Sequence, residues 1–485
     1  MKSENVARSV LLAGVGAVLA ATALLYLPDP GRKAPPRPPG PAERAAIAAH
    51  AGTQAALPDL VALIGDREKW LRAHPGDAVS WAVLGTAYAE RGTRLADVRD
   101  FPRAERALRR SLEERPAARG NLDAQLGLGV LAAALGDWRA AKEWGERVRK
   151  AEPKRWTVHP VLIDAYNGLG DYAAARKVME DYEKLHSGAA VRARAAQVYR
   201  DRGWREDAGA AALDAVASAG SAAEKAAALS RVGDLAWERG EAAEALEQYG
   251  AALRLVRDHG PSLAGRARSL AALGRTEEAR AAWEAALARL PLPEHLLEAG
   301  ELDESLGRET EARARYERLR TGRWVRAEAV LGLLEADHGD PAAAVTRLRA
   351  EWARGHRSVQ VADALGWALY RAGEPAEALE FARRATDEGL RSALFSYHRG
   401  EIERALDLDG PARRHLEEAL RIHPSFSPLH APKAREALAA LGEPSEELPA
   451  ELRGGSGRRD GAERQVGAAG GVRGEVRGAA AASGA

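Results

Sequence analysis

Cysteine is absent from all 485 residues, which removes disulfides, thiolate metal sites, a cysteine nucleophile and the lipidated cysteine of a lipoprotein. Aromatic residues make up only 5% and β-branched residues are scarce, so the material of a strand-rich core is missing. A surplus of either charge is also missing. The 71 Lys and Arg against 70 Asp and Glu leave a formal charge of +1, too little to neutralise a phosphate backbone, and no nucleic acid is expected as partner. No H-E-x-x-H, no G-x-S-x-G, no phosphate-cradling glycine loop and no dinucleotide fingerprint occurs. The expectation is therefore no enzyme, no cofactor, no metal and no small-molecule substrate.

Alanine, leucine, arginine and glutamate dominate instead, a helix-forming composition. After a short N-terminus of residues 1–8, residues 9–28 read "SVLLAGVGAVLAATALLYLP" without a charge. A helix of that length spans about 30 Å, one bilayer crossing, and Tyr26 falls at its edge, where an amphipathic ring favours the interface. The competing reading is a cleaved signal peptide, since Ala21-Thr22-Ala23 supplies an A-x-A pattern; the apolar run continues past it to Leu27, which favours the anchor. Lys2 and Arg8 before the run are matched by Arg32, Lys33 and Arg37 after it, so charge asymmetry sets no orientation. Residues 29–58 form a Pro/Ala-rich stalk and linker, beginning with the extended "DPGRKAPPRPPGP". A short N-terminus, one apolar helix and a stalk give the expectation of a single-pass cell-membrane protein with its bulk outside the cytoplasm.

From residue 59 to 442 the chain repeats itself. "LGDWRAAKEW" at Leu135 returns 34 residues later as "LGDYAAARKV", and the turn glycine recurs at Gly136, Gly170, Gly203, Gly240, Gly274, Gly307, Gly339 and Gly373, with Asp407 in the next slot. Five residues after each marker stands an alanine, from Ala141 to Ala412. Two antiparallel helices joined by a short turn approach closely only where the crossing residues are small. Seven residues before the marker the matching position is Gly129, Gly233, Gly300, Gly332, Gly366 or Gly400 in six units, Ala196 or Ala267 in two, and Ile163 in one. Larger residues such as Tyr249, Trp283, Tyr316 and Leu416 follow the alanine by four positions and fill the space between units. Gly145 and Ala212 depart from this, which leaves two joints either looser or filled from a neighbour. Pro116, Pro153, Pro291 and Pro424 stop second helices.

The first unit, "WAVLGTAY" from Trp81 to Tyr88, meets a W-x-x-L-G-x-x-Y signature, and with the sustained period of about 34 residues the chain resembles the tetratricopeptide repeat (TPR) family, in its membrane-anchored bacterial form. The resemblance implies an all-α fold: a right-handed superhelical solenoid of about ten helix pairs, here preceded by one transmembrane helix. "SPLHAPKAREALAALG" would close it. Residues 443–485, rich in Gly, Arg and Ala, are expected to be a disordered tail.

The same resemblance implies a concave face lined by first-helix side chains and hence a non-catalytic scaffold whose partners are other proteins or peptides. The corresponding positions are Asp164 and Asn167, Gln197 and Arg200, Asp234 and Trp237, Arg268, Glu301 and Glu304, Trp367 and Tyr370, Tyr397 and Glu401. Trp237, Trp367 and Tyr370 serve equally well as partner anchors or as packing between units. The paired Lys and Asn with which some family members grip an acidic peptide terminus are absent: Ala82 with Thr86, Leu126 with Val130, and Pro160 with Asp164 occupy those places. His415, His423 and His430 form the one histidine cluster, read as surface and turn residues in preference to a metal site. The stretch from Leu60 to Gly92 is similar to the repeat opening of membrane-anchored cytochrome c maturation factors, which implies an assembly chaperone for exported proteins as an alternative. A secreted or homo-oligomerising repeat protein is a further one.

Overall fold

Small residues at the crossings and a left-handed residue at all but one of the marked turns account for most of the architecture. The computed structural model describes residues 38–51 and 53–442, which form 23 α-helices and no strand. α1 (Pro41–Ala51) and α2 (Leu57–Ala73) precede ten antiparallel pairs. These are α3 (Ala78–Leu95) with α4 (Asp100–Glu114), α5 (Leu122–Leu135) with α6 (Trp138–Ala151), α7 (His159–Gly168) with α8 (Tyr172–Leu185), α9 (Ala189–Asp201) with α10 (Arg205–Ser218), and α11 (Ala222–Glu238) with α12 (Ala242–Leu255). They continue as α13 (Gly260–Ala272) with α14 (Thr276–Arg289), α15 (Pro293–Ser305) with α16 (Glu309–Thr321), α17 (Glu328–His338) with α18 (Pro341–Arg354), α19 (Val359–Arg371) with α20 (Pro375–Thr386), and α21 (Ala393–Arg404) with α22 (Asp409–Ile422). The last helix is α23 (His430–Ala440). The compact unit runs to Ala439; a second begins at Ala440, and only its first three residues are described.

Seven of the eight marker glycines end a first helix with φ near +70 to +84°: Gly136, Gly170, Gly203, Gly240, Gly274, Gly307 and Gly373. The residue after it donates its N–H back across the last turn, Asp137 to the Ala132 carbonyl at 2.9 Å and Glu374 to Leu369 at 2.8 Å, which satisfies carbonyls left over at a helix end. Asp407, at φ 56°, does the same where glycine is missing. Gly339 departs from the set, with φ −149° and ψ −133°, because the following Asp340-Pro341 starts α18 in a different way: Asp340 Oδ1 accepts from Ala342 N at 2.9 Å and Pro341 fills the first helical position.

All nine post-turn alanines are buried. A Cβ on Gly233 would lie 2.8 Å from the Tyr249 ring and one on Gly400 2.8 Å from Leu416, so the missing side chains make room for the large residues that follow the alanines. At the first departing joint Leu162 of α7 fills the space above Gly145, and at the second Ala212 is itself fully buried. α4, α6, α14 and α22 each end two residues before Pro116, Pro153, Pro291 and Pro424. In the first unit the extra residues lengthen α3 to Leu95 before a left-handed turn at Ala96.

The linker expected over 29–58 contains α1, whose Ala45 is buried and whose Arg44 pairs with Asp59 of α2 at 2.5 Å. Three alanines on one face let this helix pack although the surrounding sequence is rich in proline. None of the described helices is long and apolar enough to cross a membrane. The apolar run at 9–28, the first part of the stalk and the tail at 443–485 lie outside the described residues.

Successive turns of the solenoid touch. The left-handed turns at Gly136, Gly170, Gly203 and Gly240 meet loops between units about 185 residues further along, roughly five and a half periods. Arg326 lies over Trp138 at 4.7 Å, Arg357 N donates to Gly168 O at 2.8 Å, Val359 N donates to the Tyr172 hydroxyl at 2.9 Å, Arg202 faces Glu388 at 3.6 Å, and Trp237 meets His423 edge-on at 4.3 Å. At Gly170 and Gly203 the opposing backbone carbonyls of Arg357 and Gly389 stand where a Cβ would be.

Candidate interaction grooves

The concave face carries two hollows of opposite character. The first, about 1230 Å³, is formed by α1, α2, α3 and α5 and by the loop before α7. Ala45, Ala49, Leu60, Leu63, Ala82, Val83, Thr86, Leu126, Val130, Trp156 and Pro160 line it. Its polar groups sit among themselves: Glu90 pairs with Arg94 at 3.4 Å and Arg155 bridges Asp123 and Glu152. Burial pushes the Glu90 carboxyl above its usual range, with Arg94 opposing. The positions where a peptide-terminus clamp would stand, Ala82, Thr86, Leu126, Val130 and Pro160, are the ones that give this groove its small, apolar walls.

The second hollow, about 550 Å³, lies among α11, α13, α15, α17 and α21 and is roofed by the protein's own C-terminal segment. Pro424 ends α22, and the chain then lies across the concave face. Phe426 packs on Tyr397 at 5.8 Å, Ser427 Oγ meets Glu301 Oε2 at 3.2 Å, and His430 meets Trp367 at 6.2 Å. α23 thus packs inside the groove, and does not simply stack on the last pair. Its buried face, His430, Ala431, Ala434 and Ala437, recurs at helical spacing.

The structure distributes the expected groove residues accordingly. Asp164 pairs with Arg194 at 2.5 Å, and the same Arg194 donates to Gln197 at 3.1 Å; Asn167 leaves its buried amide nitrogen without a partner. Arg200 holds Glu238 at 2.7 Å. Asp234 accepts the Tyr249 hydroxyl at 2.8 Å, and burial raises its carboxyl pKa. Trp237, Arg268 and Glu301 line the second hollow, with Arg268 bound to Glu298, and Glu304 accepts from the Tyr316 hydroxyl at 2.7 Å. Trp367 and Tyr397, each only 2% exposed, are packing residues and not partner anchors: Trp367 stacks on His398 at 4.1 Å and donates to Asp337 at 3.1 Å. Tyr370 is half-buried beside Trp367, and Glu401 is buried and bound to Arg404. The three C-terminal histidines diverge: His415 faces Glu403, His423 faces Trp237 and His430 faces Trp367. Among the described residues no group of carboxylates and histidines is arranged to hold a metal ion.

Sequence reasoning missed the roof. Phe426, Ser427 and His430 belong to "SFSPLH", and an aromatic ring and a histidine just after a helix-ending proline were the available signal.

The tetratricopeptide repeat family pattern matches residues 89–155 and 265–327. Among solved structures, the chain is similar to the Cut9–Hcn1 hetero-tetramer of the APC/C, with 14% identity over 79% of this chain and 82% of that one and a TM-score of 0.39. It is also similar to a tetratricopeptide repeat protein of Parabacteroides merdae (20% identity, 51% of this chain and 95% of that one, TM-score 0.32) and to Pseudomonas aeruginosa PilF (18%, 41% and 90%, TM-score 0.35). No curated protein matches. The family pattern shows tetratricopeptide repeats at residues 89–155 and 265–327, within the helix pairs and left-handed turns described above.

Proposed function

We propose that the chain is a non-catalytic scaffold that holds apolar polypeptide segments in the groove of its N-terminal repeats, near a membrane in which residues 9–28 anchor it, with the repeats on the extracytoplasmic side. One observation carries the groove reading. The N-terminal hollow of about 1230 Å³ is open and walled by small apolar side chains, whereas the C-terminal part of the same face is covered by the chain's own last helix. Buried apolar area, at about 25 cal/mol per Å², would supply the affinity, and the acidic and basic rim residues would set register.

Val83 is exposed within the groove, and Val130 lies on the facing helix. Val83→Glu and Val130→Glu should abolish retention of apolar peptides on an immobilised peptide array while melting stays unchanged. Retention equal to the parent protein would remove the groove from the function. Protease treatment of spheroplasts tests the anchor and its orientation: digestion of a full-length, membrane-bound chain supports the reading, and protection lost only on lysis rejects it. An assembly role for exported proteins is the narrower form of this proposal, supported by the resemblance of the stretch from Leu60 to Gly92.

A further inference from the structure

The roofed hollow holds an unbalanced carboxylate. Arg268 is taken by Glu298, Asp337 by Arg371 at 2.5 Å, and Glu238 by Arg200, while Arg435 on the roof donates to the Pro424 carbonyl at 2.6 Å and Glu294 adds a further carboxylate to the lining. Glu301 projects into the same hollow, and among the described residues its one hydrogen-bond partner is the Ser427 hydroxyl at 3.2 Å, with no cation in ion-pair range. A second, independent feature stands beside it. His430 is 6% exposed, lines the hollow, and its Nδ1 has no partner, while its backbone N–H donates to the same Ser427 Oγ at 3.2 Å. Its Nε2 faces Asp337 at 3.9 Å, which favours the proton on that nitrogen and leaves Nδ1 as an acceptor. A half-buried carboxylate without a cation is unfavourable unless a guest supplies one.

We infer that this hollow is a binding site for a primary ammonium group on an alkyl chain, received by the Glu301 carboxylate, which the Ser427 hydroxyl positions beside His430. The carboxylate supplies the charge, and its two oxygens keep lone pairs free for N–H donors of such a group, while the Ser427 hydroxyl, which donates to Glu301 and accepts from Leu429 N and His430 N, holds it in place. Trp237 and Phe426 on the walls suit its alkyl stem, and about 550 Å³ is ample for a diamine or a lysine side chain. The site is separate from the N-terminal groove and does not rest on its function. Burial, with Glu298 and Asp337 nearby and Glu304 on the same helix, pushes the Glu301 carboxyl up to about 8. An alkylamine remains charged to about pH 10, so a guest displaces the Glu301 proton, and binding tightens by about tenfold per unit up to pH 8 and then levels off.

The test is calorimetric titration of the full chain in detergent at pH 6, 7 and 8 with 1,5-diaminopentane, Nα-acetyl-lysine amide and tetramethylammonium. Saturable binding of either primary amine, weakened about tenfold by Glu301→Gln and several-fold by Ser427→Ala with melting preserved, is the expected result. Preference for the diamine makes the guest a free amine; preference for the blocked lysine makes it a side chain of a polypeptide. No saturable binding of either amine at pH 8, equal binding of tetramethylammonium, which has no N–H, or parent-like affinity in both variants overturns the assignment.

Discussion

Glycine has two opposite meanings in this chain, and geometry separates them. In mid-helix, alanine ordinarily gains up to about 1 kcal/mol over glycine. Gly209 in α10 has nothing within 4 Å of where its Cβ would be, so Gly209→Ala should raise the melting temperature. Gly265 in α13 sits against the Tyr249 ring from the preceding unit, and Gly265→Ala should lower stability by about 1–3 kcal/mol through overpacking; thermal melts of the two variants should move in opposite directions. Glu301 gives a residue-scale prediction in pH. Its folded pKa of about 8 lies above the ordinary carboxylate value, so its favourable contribution is complete below the unfolded pKa near 4.3 and is lost as pH rises through 8. Glu301→Gln should therefore melt higher than the parent at pH 8.5 and similarly at pH 4.

At the scale of elements, the C-terminal segment depends on neutral histidines. Burial holds His423 down to about 4 and His430 to about 3. Both values are depressed, so the stability they lend is complete above the unfolded value near 6.5 and is lost as pH falls toward 4. Protection factors for hydrogen exchange across residues 424–440 should fall between pH 6.5 and 4 ahead of those in α5 to α8, and His430→Leu should reduce that difference; uniform loosening of all pairs would contradict it. The pairs themselves were legible in advance because the marker glycine and the alanine five residues later answer to local requirements, a left-handed φ and a close crossing. α1 was not legible, since proline and alanine in one stretch suggest extension and only its contact with α2 makes the helix worthwhile.

The whole molecule is held by contacts between turns of the solenoid as well as between neighbouring pairs. Gly274 and Gly203 share the same backbone conformation, φ 71° and 74°, yet only Gly203 faces a carbonyl, that of Gly389. Gly274→Ala should cost about 1–2 kcal/mol for the left-handed backbone alone. Gly203→Ala should cost more, since it must also push two turns apart; equal losses in denaturant titrations would mean that the turns do not touch in solution. The sequence by itself determined the helix pairs, their period, their turn chemistry and the apolar lack of a peptide clamp, because each depends on residues within about one period of one another. Only the tertiary structure decided the pitch that brings Gly170 to Arg357, the burial of Trp367 and Tyr397, and the roof that Phe426, Ser427 and His430 make over Glu301. Small rotations between neighbours accumulate over several repeats before distant residues meet, and no local spacing records their sum.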